Sequence, residues 1–176
     1  MGERQTGKES NQEGESILTQ EFVEPILAVT KEFLMTHDHL GPAIFLRLES
    51  DEQLVVPLAQ LEGLMTAEER QSYFSSLGLS LRQAGERIRE AILVSEVWYV
   101  APEDEALDSP PSMHPKRKEA IAIIGRDSQR SRITHVLQPF GRDSQKRPVF
   151  GALEADYNIR VEEGNRSTGL IDHLFD

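Results

Sequence analysis

The chain has 176 residues, of which 38% are hydrophobic and 28% charged, and its formal net charge is -11. That length suffices for one domain with a buried core, and the excess of carboxylates argues against general affinity for nucleic acid or anionic membrane, which need phosphate-neutralising cations. Cysteine is absent, which excludes disulfides, thiolate metal sites and a cysteine nucleophile and suits a reducing, cytoplasmic setting.

Residues 1–16 hold no apolar side chain after Met1. Such a segment buries too little surface to offset its ordering entropy, so a disordered polar tail is expected, and it lacks the apolar stretch of a signal peptide. No run of about eighteen apolar residues occurs anywhere, so no membrane span is expected. Phe22, Val23, Ile26, Leu27, Thr30, Phe33 and Leu34 recur at three- and four-residue steps. This spacing predicts an amphipathic helix over Gln20–Thr36, with Pro25 placed in the first turn where a missing N–H is harmless.

After His37-Asp38-His39 and Gly41-Pro42, Ala43–Leu48 alternates as a strand. Glu49–Glu52 reads as a turn and Gln53–Leu58 as the returning strand, which Pro57 assigns to an edge. Thr66-Ala67-Glu68-Glu69 matches a capping box, and Tyr73, Phe74, Leu77, Leu81, Ala84 and Ile88 form one stripe, so a second helix is expected over Thr66–Glu90. Gly78 and Gly85 near its face either allow close packing on the sheet or, the favoured reading, Gly85 ends the helix. Ala91–Val100 is rich in β-branched and aromatic residues and reads as the central strand. Residues 101–115, with four prolines and four acidic side chains, read as a long, mobile loop.

Gly-Arg-Asp-Ser-Gln occurs at Gly125–Gln129 and again at Gly141–Gln145. Each copy separates apolar runs (Ala120–Ile124, Ile133–Phe140, Val149–Ala155), which predicts a three-stranded antiparallel meander with two like-built turns. Leu170, Ile171, Leu174 and Phe175 form an apolar terminal patch. The whole predicts one α+β domain over 17–176: a mainly antiparallel sheet of five or six strands with two helices packed on one face, the other face partly open to water or another subunit.

Residues 1–115 carry 8 basic and 21 acidic side chains, whereas 116–147 carry 9 basic and 3 acidic. Arg126, Arg130, Arg142, Lys146 and Arg147 are expected to project from the two turns toward one end of the sheet. Together with Leu174 and Phe175 they are the candidate partner-binding residues, for a second copy or an acidic protein surface. The turns lack the aromatic residues that nucleic-acid readers stack on bases.

Glu96 shares a strand face with Ile92, Val94, Trp98 and Val100, where a bare carboxylate is penalised. Paired with His135 or His114 it would suit general acid–base work. His37-x-His39 resembles the first half of the metal motif of JAB/MPN metalloproteases. Arg47 and Ser50, however, stand where that motif has serine and aspartate, and a polar helix terminus is the better account. No nucleotide-cradling or nucleophile-elbow motif occurs, so neither cofactor nor metal is expected.

Ser95-Glu96-Val97-Trp98 followed by His114-Pro115-Lys116-Arg117-Lys118-Glu119 resembles a pattern in small bacterial proteins of unassigned function. That resemblance implies no activity. The leading expectation is a non-catalytic, self-associating or protein-interaction module; the alternatives are a small hydrolase or isomerase, or a nucleic-acid accessory protein.

Overall fold

The computed structural model describes residues 20–58, 66–101, 111–160 and 170–176. The polar tail and positions 102–110 of the acidic loop lie outside them. The order is α1 (Gln20–Thr36), β1 (Ala43–Leu48), β2 (Gln53–Pro57), α2 (Ala67–Gln83), β3 (Ile88–Tyr99), a single 3-10 turn (Pro111–Met113) within the segment expected to be loop, β4 (Lys118–Asp127), β5 (Arg132–Arg142), β6 (Pro148–Phe150), β7 (Glu154–Arg160) and a terminal 3-10 helix, Leu170–Phe175. The fold is α+β. Its seven strands form one open antiparallel sheet in the order β2-β1-β3-β4-β5-β6, with β7 also on β5. Among the described residues no helix is long and apolar enough to cross a membrane.

The two helices lie on opposite faces of the sheet, not on one. Antiparallel partners share a face, so the register fixes which side chains go where. Phe45, Ile92, Val94, Ile123, Val136, Ile121 and Phe140 point one way and pack on Phe22, Val23, Ile26, Leu27 and Leu34 of α1. Ile44, Leu46, Ala91 and Leu93 point the other way and pack with Phe74 of α2 and with Ile171 and Leu174 of the terminal helix. Sequence periodicity marks a helix's apolar stripe but not the side of the sheet it meets.

Pro25 falls in the second turn of α1 rather than the first, so the helix forgoes one backbone bond there. Thr66 and Glu69 form the reciprocal capping box at the start of α2. That helix ends at Gln83, short of the expected Glu90, because Gly85 takes φ +85° and turns the chain; Ile88 and Glu90 belong to β3. Gly78 serves close packing, though on the terminal helix rather than the sheet. A Cβ there would sit 2.0 Å from the Leu174 carbonyl oxygen.

The meander forms, with its third strand divided. β6 pairs with Phe140–Arg142 and β7 with Arg132–Leu137, and the Gly151 N–H bridges the break by donating to the Pro139 carbonyl at 2.8 Å. The two Gly-Arg-Asp-Ser-Gln copies do build like turns. Arg130 N–H donates to Asp127 O (3.0 Å) and Lys146 N–H to Asp143 O (2.9 Å), and the donor residues take φ of 56° and 62°. The β1–β2 turn repeats this geometry, with Asp51 at φ 65° donating to Leu48 O. The β1–β2 and β5–β6 turns are three-residue hairpin loops and the β4–β5 loop has four residues, 128–131; in each the left-handed position is one that usually holds glycine.

Candidate functional site

α1 sits over β3–β5 and reaches only part of β1, at Phe45 and Arg47, so β2 and the adjoining flank of β1 are left open on that face. The result is a groove of about 570 Å³. Val29, Thr30 and Phe33 of α1 form one wall, Ala43, Phe45 and Val94 line the sheet side, Val55 and Pro57 of β2 the far side, and residues 37–42 the end. The lining is mostly apolar, its polar members being Thr30 on the α1 wall and His37, Asp38 and His39 at the end. Thr30 spends its hydroxyl on the Ile26 carbonyl at 2.7 Å and offers the groove little polarity. Val29, Phe33 and Val55 remain 59%, 41% and 57% exposed.

The end of the groove is anchored by residues the sequence singled out for other roles. Glu96, half-buried on the α1 face, accepts the Leu40 N–H at 2.9 Å. Arg142 donates to the Asp38 carbonyl at 2.5 Å and lies 3.4 Å from Glu119 and 4.0 Å from Glu96. Two strands thus hold the α1–β1 loop in place. His37 stacks flat on Phe33 at 3.9 Å between ring centroids, and its Nδ1 lies 3.0 Å from the Phe33 carbonyl, closing the C-terminal end of α1.

The expected Glu96–His135 couple does not form. Glu96 is opposite Ile121, itself opposite Gln138, on the α1 face, while His135 pairs with Ile124 and Asp156 on the other face, where it is exposed. His114 is buried; its Nδ1 accepts the Lys116 N–H at 3.1 Å, and its Nε2 has no hydrogen-bond partner among the described residues.

The five basic residues do not converge. Successive turns of a meander lie at opposite ends of the shared strand, so the loop carrying Arg130 and that carrying Lys146 and Arg147 are a strand length apart. Arg126 is buried in a two-pronged pair with Asp172, at 2.7 and 3.0 Å. Arg130 pairs with Asp176, and Arg147 with Asp143 at 2.9 Å; Lys146 is exposed in its turn. Asp143 is held below the ordinary carboxylate range chiefly by the Arg147 backbone N–H, and Asp176 by the Arg130 guanidinium. Leu174 is fully buried and Phe175 half-buried against the chain's own α2 layer.

No protein-family model, curated protein or solved structure matches the chain. The groove itself was missed from the sequence. Its signal was Val29, an apolar residue off the predicted stripe and four positions before Phe33, which that stripe included but which the fold leaves 41% exposed.

Proposed function

We propose that the protein is a non-catalytic interaction module that takes an apolar segment of another polypeptide into the groove between α1 and β2. The observation that carries this reading is the exposure of Val29, Phe33 and Val55 on facing walls of one apolar cleft. Apolar side chains gathered in a concave, unfilled surface mark a binding site more often than scattered ones do. Covering the exposed halves of these three contributes about 1 kcal/mol each, so the rest of the affinity must come from further contacts made by the bound segment.

A heterologous partner is favoured over a second copy. The terminal apolar patch and four of the five basic residues that motivated self-association are used inside the fold, and two chains of charge -11 repel each other.

The test is selection of a phage-displayed library of random linear peptides on the intact protein, with Phe33→Glu and Val55→Glu as comparison targets. Both side chains are exposed, so the variants should keep the wild-type circular dichroism spectrum. Enrichment of peptides that lose binding to both variants supports the reading. An unenriched library, or binders indifferent to both changes, overturns it.

A further inference from the structure

β2 ends the sheet, and the direction of its backbone groups is fixed by two bonds to β1 and the adjoining chain. Leu48 N–H donates to Glu52 O at 2.9 Å, and Leu58 N–H donates to Pro42 O at 2.7 Å. Backbone groups alternate sides along an antiparallel strand. Even-numbered residues of β2 therefore face β1, and Gln53, Val55 and Pro57 turn theirs outward. The outer edge offers N–H groups at Gln53 and Val55 and carbonyls at all three. Proline has no N–H to give, so pairing along this edge stops at Pro57, which caps the length it can hold at about five residues.

The side chains of these three residues point to the α1 face, since Val55 and Pro57 are opposite Phe45 and Ala43. A strand laid outside β2, roughly 4.8 Å away, would put alternate side chains beside Val55 and over the open flank of the groove. Beyond Gln53 the β1–β2 turn presents Glu52, exposed and without an ion-pair partner among the described residues, whereas Glu49 lies on the α2 side beside Arg82 and Arg87. A segment reaching that end meets uncompensated negative charge.

Resting on the groove reading above, we infer that the partner segment is extended and basic-flanked and adds to β2 as a further strand. It makes main-chain bonds to Gln53 and Val55, seats alternate apolar side chains in the groove, and sets a lysine or arginine beside Glu52. This is recognition by strand addition, in which backbone bonds give affinity and alternate side chains give selectivity.

The test uses the peptides selected on the intact protein. Val55→Pro keeps an apolar wall and leaves the ladder to β1 untouched, but deletes the outward N–H; it should weaken binding roughly tenfold, as loss of one hydrogen bond with a stranded carbonyl does. Independently of any variant, N-methylation at successive peptide positions should weaken binding to the wild type at every second position only. Glu52→Lys should weaken peptides that carry a basic end. If Val55→Pro and every N-methyl peptide bind within twofold of the parent while Phe33→Glu abolishes binding, strand addition is overturned and the groove reading stands. If no selected peptide depends on Phe33, both fall.

Discussion

Gly78→Ala is the most informative single change in this fold, because two known effects oppose each other there. In an exposed helix interior the change stabilises by about 1 kcal/mol, since alanine loses less backbone freedom than glycine. Gly78 is buried under the terminal 3-10 helix, however, and the new methyl would lie 2.0 Å from the Leu174 carbonyl oxygen, a backbone atom that moves only with its segment. Overpacking of this kind costs about 1–3 kcal/mol. Its ceiling is the loss of docking of fully buried Leu174 and nearly buried Ile171, about 1.5–3 kcal/mol each. The net expectation is destabilisation by about 2 kcal/mol, read by urea unfolding followed through Trp98 fluorescence. In a chain truncated before Leu170 the clash is absent, and the same change should stabilise by about 1 kcal/mol. Equal effects in both backgrounds, or a gain in the full chain, would refute the argued contact.

Lys146→Gly should stabilise by about 0.5–1 kcal/mol in thermal melts, because φ 62° is a strained setting for lysine and an easy one for glycine. Asp172→Asn should cost about 3–5 kcal/mol by stranding the buried Arg126 guanidinium, whereas replacing both partners with leucine should cost far less; a chemical-denaturation cycle separates the two. Asp143 and Asp176 are both held below their ordinary value of 3.8, so the folded chain binds fewer protons than the unfolded one in acid. Their contribution is present above about pH 4 and is lost as pH falls through the lowered values, and Asp143→Asn or Asp176→Asn should flatten the fall in melting temperature between pH 5 and 3. Glu96→Ala should leave the core intact but free the Leu40 N–H, seen as faster amide exchange at Leu40 and weaker peptide capture.

Local chemistry was legible in the sequence wherever neighbours decide the outcome. The limits of α1, the β1–β2 hairpin with Pro57 at its edge, the Thr66–Glu69 cap and the repeated turns all follow from residues within a few positions of one another. What distant contacts decide was not legible. Which face α2 covers depends on register parity between β1 and β3, and the role of Gly78 depends on a segment nearly a hundred residues later. Glu96 was correctly marked as a carboxylate needing company on an apolar face. Its partners, the Leu40 N–H and Arg142, come from a loop and a strand remote in the chain, and the histidine chosen for it faces away. The basic segment misled because formal charge says nothing of pairing: Arg126 finds Asp172, and Arg142 finds Glu119.

The sheet divides the interior into two half-shells with no buried residue in common. Damage to one therefore reaches the other only through the strands between them. A fluctuation that lifts the terminal helix and α2 can leave the α1 layer and its cleft standing, so the binding surface can outlast a partial melting of the opposite side.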